Sequence, residues 1–218
     1  MIDFPGHGQN IVMPEVEISF DSFTHLTTDL LDHLGVTDAV FAGISMGSAV
    51  SLCCAAARPD LVRRVVAIRP AWIASPAPDH LALIDRCGTW LSTLPLEQAF
   101  KALEADPEYN EMRAEVPLAA ASVRAALERE HAALHAPVLS AMFHDAPFNS
   151  LSALRNIEQP VTVVGNLGDN FHPLSIAKAT ANALPNAELR ILPPRYLQPE
   201  KHQAAVATLI LEQIGVAT

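Results

Sequence analysis

The sequence predicts an α/β fold in which a mostly parallel β-sheet is covered by helices on both faces and carries an inserted block of helices. Short apolar runs of strand length alternate with stretches of helical periodicity, the pattern of parallel strands joined by helices. A Gly-x-Ser-x-Gly pentapeptide stands where one such strand meets a helix. An Ala/Leu-rich stretch with helical spacing interrupts the alternation at about residues 78–156.

The first elements precede the pentapeptide. Residues 2–4 have the character of the end of a strand, and residues 5–8 read Pro-Gly-His-Gly, a loop with two glycines that can take positive φ angles. Between residues 21 and 34 apolar side chains recur at helical spacing, and Gly35 supplies a C-terminal stop. The apolar run at residues 39–42 then predicts a strand that leads into the pentapeptide.

The later elements continue the alternation. A small, apolar helix is predicted from the pentapeptide to about Arg58, followed by a buried strand at residues 62–68. Short helices separated by prolines are predicted for the interrupting stretch. The last four elements are predicted as a strand, a helix, a strand and a closing helix, at about residues 160–165, 174–184, 187–192 and 199–214.

Length and composition exclude several classes of protein. A chain of 218 residues is expected to form one domain, with or without an inserted cap. No apolar run approaches the length of a membrane span, and the N-terminus lacks the regions of a signal peptide, so we expect a cytoplasmic protein with no membrane partner. The net charge of −10 disfavours nucleic-acid binding. Three cysteines do not form a disulfide framework.

The pentapeptide is Gly43-Ile44-Ser45-Met46-Gly47. Its pattern is that of a nucleophile elbow, a strained strand-to-helix turn that projects a serine hydroxyl into a cleft. Because so sharp a reversal crowds the positions two before and two after the serine, only small residues are expected at both. The alternative is a Gly/Ser turn that merely joins a strand to a helix.

Three segments together resemble the α/β-hydrolase superfamily, in its serine esterase- and lactonase-like branch with a helical cap. Residues 3–8 resemble the D-x-P-G-H-G loop after that family's fourth strand. Residues 43–47 resemble its elbow after the fifth strand, and residues 165–173 resemble its G-x-x-x-D-x-x-x-P segment after the seventh. The helical stretch lies where the family inserts its cap.

The resemblance implies a core made of residues 1–70 and 157–218 and a helical cap made of residues 71–156. It also implies an incomplete fold, because the family's sheet has eight strands and this sequence begins at the tail of the fourth. We therefore expect the given start to be internal to a longer gene product. The strand at residues 39–45 would then form a bare apolar edge, open to a homodimer or to other edge-strand association.

The family's order of serine, acid and histidine implies Ser45 as nucleophile, Asp169 as the orienting carboxylate and His202 as general base. Asp169 follows a strand end, where open α/β sheets bind ligands. The alternative for Asp169 is a loop aspartate that caps the helix near Pro173. No histidine directly follows the last strand, where the family usually has its base, and the alternative for His202 is an exposed first-turn histidine. His172 is the rival base, expected instead to line the cap side of the pocket.

The remaining site residues are an oxyanion donor and two candidates for lining the substrate pocket. The backbone N–H of Met46 is the implied oxyanion donor, and the second donor would precede residue 1. Trp72, just past a strand end, and His172 are the candidates for the substrate pocket. No Arg cluster, metal-ligand constellation or phosphate loop is visible, so we expect no metal, no organic cofactor, and an uncharged or modestly polar substrate.

These expectations combine into one function with two alternatives. The resemblance implies a serine hydrolase acting on a small-molecule carboxylic ester, thioester or lactone through an acyl-enzyme. The first alternative is a hydrolase of a carbon–carbon bond in a ring-fission-type acid, using the same triad. The second is a catalytically silent relative that binds a small hydrophobic ligand in the elbow pocket.

Overall fold

The computed structural model describes residues 2–8, 10 and 16–215. The chain divides into two compact units, which we call the sheet unit, residues 20–76 and 146–218, and the helical unit, residues 1–19 and 77–145. The described residues before Phe20 group with the helical unit. The division into a core of residues 1–70 and 157–218 and a cap of residues 71–156 stays a prediction.

The elements follow the predicted order. In chain order they are α1 (Phe20–His33), β1 (Ala39–Ile44), α2 (Met46–Ala57), β2 (Val62–Ile68), α3 (Ala82–Thr93), α4 (Leu96–Ala105), α5 (Pro107–Glu115), α6 (Pro117–Leu127), α7 (Ala132–Phe143), β3 (Val161–Asn166), α8 (Leu174–Ala183), β4 (Ala187–Leu192) and α9 (Pro199–Gln213). Two 3₁₀ turns lie at Asp79–Leu81 and Leu151–Asn156.

The sheet unit contains four parallel strands in the order β1-β2-β3-β4. On one face Val66, Ile68 and Val164 form a buried cluster with Leu209 of α9. Side chains alternate between faces along a strand, so Gly165 lies on the opposite face, where a Cβ would meet Leu174 and Ala177 of α8. Helices therefore cover both faces, as the alternation of strands and helices predicts.

The edge of the sheet at β1 is open among the described residues. β1 pairs with β2 alone, in a register that places Ile44 beside Ile68. Ala42 and Ile44 are exposed, and β1 contains no charged residue and no proline. The predicted parallel sheet with helices on both faces is confirmed.

The prediction of a strand end at residues 2–4 is wrong. These residues are irregular and lead into a turn in which the His7 N–H donates to the Phe4 carbonyl at 2.9 Å. A strand requires a neighbour to receive its backbone hydrogen bonds, and no described strand lies beside this segment.

The helical unit contains α3 to α7, the short helices predicted from the Ala/Leu-rich stretch. α3 and α7 approach closely because Gly88 has no side chain; an added Cβ would lie 2.9 Å from Cβ of Leu139. Asp106 caps α5 by accepting from the Tyr109 N–H at 3.0 Å, and it also accepts from Arg86 Nε at 2.8 Å. In the described part of the chain, no helix combines the length and apolar character needed to cross a bilayer.

Candidate active site

Ser45 lies in a strained turn between β1 and α2. Its φ is 55° and its ψ is −114°, a conformation that costs a residue other than glycine about 1–3 kcal/mol. Three hydrogen bonds hold the turn: the Ser45 N–H donates to the Ile68 carbonyl at 2.9 Å, and the Ser48 N–H and Oγ donate to the Ser45 carbonyl at 3.0 and 2.6 Å. Strain that neighbouring bonds maintain in this way is typical of functional sites.

The two glycines of the pentapeptide have different roles. A Cβ on Gly43 would lie 2.0 Å from the carbonyl oxygen of Gly47, so only glycine fits there. At Gly47 no described atom lies within 4 Å of an added Cβ. The expectation of crowding on both sides of Ser45 is therefore right for Gly43 and wrong for Gly47, because the turn closes over the strand and leaves the start of α2 facing open space.

The Ser45 side chain is half-buried, and its hydroxyl caps no backbone N–H of α2. Among the described side chains it has no hydrogen-bond partner. Met46 is the first residue of α2, and a first helical residue has no carbonyl four positions earlier within the helix to receive its N–H. A hydroxyl and a backbone donor thus lie next to each other without intrahelical partners.

Asp169 follows β3 by three residues, and its side chain is fully buried. Oδ2 accepts from Arg69 Nη1 at 3.0 Å, and Oδ1 lies 3.0 Å from Nδ1 of His172. Burial opposes ionisation, but the hydrogen bond from His172 and the charge of Arg69 lower the pKa of Asp169 to about 2. An ionised carboxylate only accepts, so Nδ1 of His172 carries the proton.

Arg69 is a site residue that sequence reasoning missed. It directly follows β2 with a φ of 50°, and its N–H donates to the Val164 carbonyl at 2.8 Å. Its side chain is 7 % exposed, and its Nε has no hydrogen-bond partner among the described residues. A charged residue directly after a buried strand, at the end of the sheet where ligands bind, was the available signal.

His202 lies in the first turn of α9 and is 7 % exposed, so the alternative of an exposed first-turn histidine is wrong. Its Nδ1 lies 2.7 Å from the carbonyl oxygen of Pro193. A carbonyl only accepts, so Nδ1 donates and Nε2 of the neutral ring is left as the acceptor. The structure therefore brings His202 to a backbone carbonyl and brings Asp169 to His172.

The two other pocket candidates are both buried. His172 is 9 % exposed, and its Nε2 has no hydrogen-bond partner among the described residues. Burial lowers the pKa of His172, and the neighbouring Asp169 opposes that shift. Trp72 is also 9 % exposed and packs edge-to-face on Phe20, with ring centroids 5.5 Å apart. Trp72 thus packs in the buried interior of the sheet unit.

A second arginine belongs to this site. The Arg195 guanidinium lies 4.9 Å from the ring centroid of Tyr196 and donates to its hydroxyl at 3.2 Å. After burial, its charge is the next largest influence that lowers the pKa of Arg69, and it also lowers the pKa of His172. Arg69 follows β2 and Arg195 follows β4, so both residues come after the carboxyl ends of strands in the same parallel sheet, although they are far apart in the sequence.

The residues that the structure describes contain no group of three or more His, Cys, Asp or Glu side chains arranged to hold a metal ion. The functional groups after the carboxyl ends of the strands are the Ser45 hydroxyl, two imidazoles, one carboxylate and two guanidinium groups.

Comparisons with known proteins agree with this architecture. Residues 1–105 match the family described as the alpha/beta hydrolase fold. A putative carbamate hydrolase, RutD, from Pseudomonas savastanoi pv. phaseolicola is 31 % identical over 178 residues, which are 78 % of this chain and 66 % of that relative. The match therefore spans slightly less than two thirds of the curated relative.

Two solved structures share the fold. MGS-M2, an alpha/beta hydrolase enzyme from a Medee basin deep-sea metagenome library, is 21 % identical with a TM-score of 0.72, over 99 % of this chain and 78 % of that one. The enol-lactonase from Burkholderia xenovorans LB400 is 20 % identical with a TM-score of 0.69, over 95 % and 76 %. The match to the family model and the similarity to the curated relative show that the chain belongs to the α/β-hydrolase superfamily.

Proposed function

We propose that the protein is a serine hydrolase that acts on a small carboxylic ester, thioester or lactone through an acyl-enzyme on Ser45. The observation that carries this proposal is the strained turn of Ser45, which presents a hydroxyl without a hydrogen-bond partner among the described residues. Strain of this kind is costly, and it is explained if the turn positions a nucleophile.

The proposed reaction has two halves. Ser45 Oγ attacks the substrate carbonyl while its proton passes to Nε2 of His202, and the Met46 N–H stabilises the oxyanion. The bond to the leaving group then breaks, and the leaving oxygen or sulfur takes the proton from His202. Water hydrolyses the acyl-enzyme by the same route, releasing the acid and restoring the Ser45 hydroxyl.

His202 is the proposed base because its hydrogen bonding favours the required tautomer. The Pro193 carbonyl fixes the proton on Nδ1, so Nε2 presents a lone pair. Burial and the charges of Arg69 and Arg195 lower the pKa of His202, and the bond to the Pro193 carbonyl and the charge of Asp169 oppose that shift. His172, which bonds to Asp169 directly, remains the rival base.

A fluorophosphonate probe tests the nucleophile. Such a probe phosphonylates an activated serine and releases fluoride, so we expect one label per chain, lost in Ser45→Ala. The matched control is Ser92→Ala, an exposed serine in α3, which should label like the wild type. Labelling that survives in Ser45→Ala would contradict the assignment.

Two glutamine variants separate the bases. We expect His202→Gln to slow labelling by about 10²–10⁴-fold, the usual contribution of a general base, and His172→Gln to slow it by less than about tenfold. The opposite order would assign the base to His172, oriented by Asp169.

The second candidate function is a catalytically silent relative that binds a small hydrophobic ligand. The observation that favours it is the absence of a hydrogen bond from the Ser45 hydroxyl to any described imidazole. Correctly folded protein that does not react with the probe, together with saturable binding of a small apolar ligand, would support this candidate over the hydrolase.

A further inference from the structure

The backbone of Arg69 lies beside the backbone of Ser45, at the spacing of two neighbouring strands. β1 and β2 pair in register at Ile44 and Ile68, and the Ser45 N–H donates to the Ile68 carbonyl at 2.9 Å. The next residue of each strand is therefore Ser45 on one side and Arg69 on the other, about 5 Å apart in the direction of the sheet hydrogen bonds. An acyl group bonded to Ser45 would start beside the guanidinium-bearing residue.

The charges at this end of the sheet do not cancel. Arg69 and Arg195 each carry a guanidinium group, and Asp169 is the carboxylate that pairs with Arg69. Arg195 is half-buried and contacts the neutral Tyr196, and no described carboxylate lies within ion-pair distance of it. One positive charge is left in excess, although the whole chain carries a net charge of −10.

The excess charge coincides with an unused donor. Nε of Arg69 is buried and has no hydrogen-bond partner among the described residues. A buried donor of a charged group is costly to leave unsatisfied, and an arginine at such a position is usually paired. A ligand that supplies acceptor oxygens would satisfy both the donor and the charge.

We infer that Arg69 and Arg195 bind a carboxylate carried by the acyl part of the substrate. The inference rests on the proposed function, because it places this carboxylate in the acyl group attached to Ser45. A guanidinium matches a carboxylate through paired N–H donors, and a single excess positive charge balances a monoanion. The substrate class is thus the monoester or lactone of a short dicarboxylic acid, in place of the uncharged or modestly polar substrate that the sequence led us to expect.

A matched pair of substrates tests the inference. 4-Nitrophenyl hemisuccinate and 4-nitrophenyl butyrate share a leaving group and a four-carbon acyl chain, and they differ in the terminal carboxylate. We expect kcat/KM to favour the hemisuccinate by at least about tenfold, within the range of one charge-assisted hydrogen bond. The ratio should fall by about tenfold or more in Arg195→Met.

The matched control is Arg190→Met, which removes an exposed guanidinium from β4 and should leave the ratio unchanged. Hydrolysis of both esters with no preference, or a preference that persists in Arg195→Met, would overturn the inference while leaving the proposed hydrolase intact. A wild-type chain that hydrolyses neither ester and does not react with a fluorophosphonate would instead contradict the proposed function.

Direct binding provides a second measurement that does not depend on turnover. We expect butyrate, a monocarboxylate, to raise the thermal unfolding midpoint of the wild type more than the uncharged butyramide does at equal concentration and ionic strength, and to lose that advantage in Arg195→Met. Equal effects of butyrate and butyramide on the wild type would overturn the carboxylate site whether or not the protein is an enzyme.

Discussion

Asp169 and Arg69 form a buried ion pair, with Oδ2 of the carboxylate 3.0 Å from Nη1 of the guanidinium. The pair connects the segments that follow β2 and β3, two neighbouring strands of the sheet. The same carboxylate also accepts from His172, so its two oxygens are shared between a cation and an imidazole. Asp169 therefore organises the site even though the general base proposed here, His202, bonds elsewhere.

The Asp169→Asn substitution should strongly destabilise the protein. It leaves the buried Arg69 charge without a counterion, and breaking one side of a buried pair costs about 3–5 kcal/mol. Urea unfolding at pH 7 measures the loss.

The control for this prediction is Asp38→Asn, which breaks the exposed ion pair with Arg63, whose N···O distance is 3.4 Å. Surface pairs contribute little, so the free energy of unfolding should change by less than about 1 kcal/mol. Equal losses in the two variants would show that the buried pair contributes no more than a surface pair.

The stability of the folded protein should also depend on pH through Asp169. Its pKa is about 2 in the folded chain and about 3.9 in an unfolded one, so the folded state favours the charged form. That contribution is complete above the unfolded pKa and is lost as the pH falls towards 2, amounting to about 2 kcal/mol. Urea titrations between pH 5 and 2.5 should show a smaller decrease in Asp169→Asn than in the wild type.

An equal decrease in the variant and the wild type would assign the acid sensitivity to other carboxylates. The variant carries no titratable group at position 169, so its remaining pH dependence measures the rest of the chain.

The predictable part of this molecule was the part governed by local pattern. The helical spacing of apolar residues predicted α1 and the β-branched run predicted β2, and both elements form, because residue spacing and β-branched composition act on the local backbone. The packing of α1 differs from the apolar pattern, since Leu26 and Leu30 are exposed. The elbow was also predictable, because the atom that excludes a side chain at Gly43 is the carbonyl oxygen of Gly47, within the same pentapeptide.

What the sequence did not reveal depends on partners distant along the chain. Arg69 lies in no recognisable motif, and its place in the site depends on the ion pair with Asp169, one hundred residues later. The Nδ1 partner of His202 is the backbone carbonyl of Pro193, which side-chain identities cannot indicate. The wrong strand prediction at residues 2–4 has the same origin, because a strand is defined by its neighbour.

The open edge at β1 predicts self-association. Its backbone groups face no described strand, and its side chains are uncharged, so a second copy of this chain could add to the edge. Ala42→Lys places a charge on an exposed position of that edge and should shift the sedimentation coefficient towards that of a monomer.

The matched control is Ala57→Lys, which adds the same charge at the exposed end of α2. It should leave the association unchanged. A wild type whose sedimentation coefficient stays that of a monomer at every protein concentration measured would contradict the prediction.

The two glycines of the elbow should respond oppositely to the same substitution. A methyl group on Gly43 would lie 2.0 Å from the Gly47 carbonyl oxygen, so Gly43→Ala must distort the turn and should cost about 1–3 kcal/mol or more. Gly47 belongs to α2 and has open space around it, so Gly47→Ala should be neutral or stabilising by up to about 1 kcal/mol. Urea unfolding of both variants measures the difference, and fluorophosphonate labelling reports whether Ser45 keeps its position. If Gly47→Ala is as damaging as Gly43→Ala, the second glycine has a role that this turn geometry does not explain.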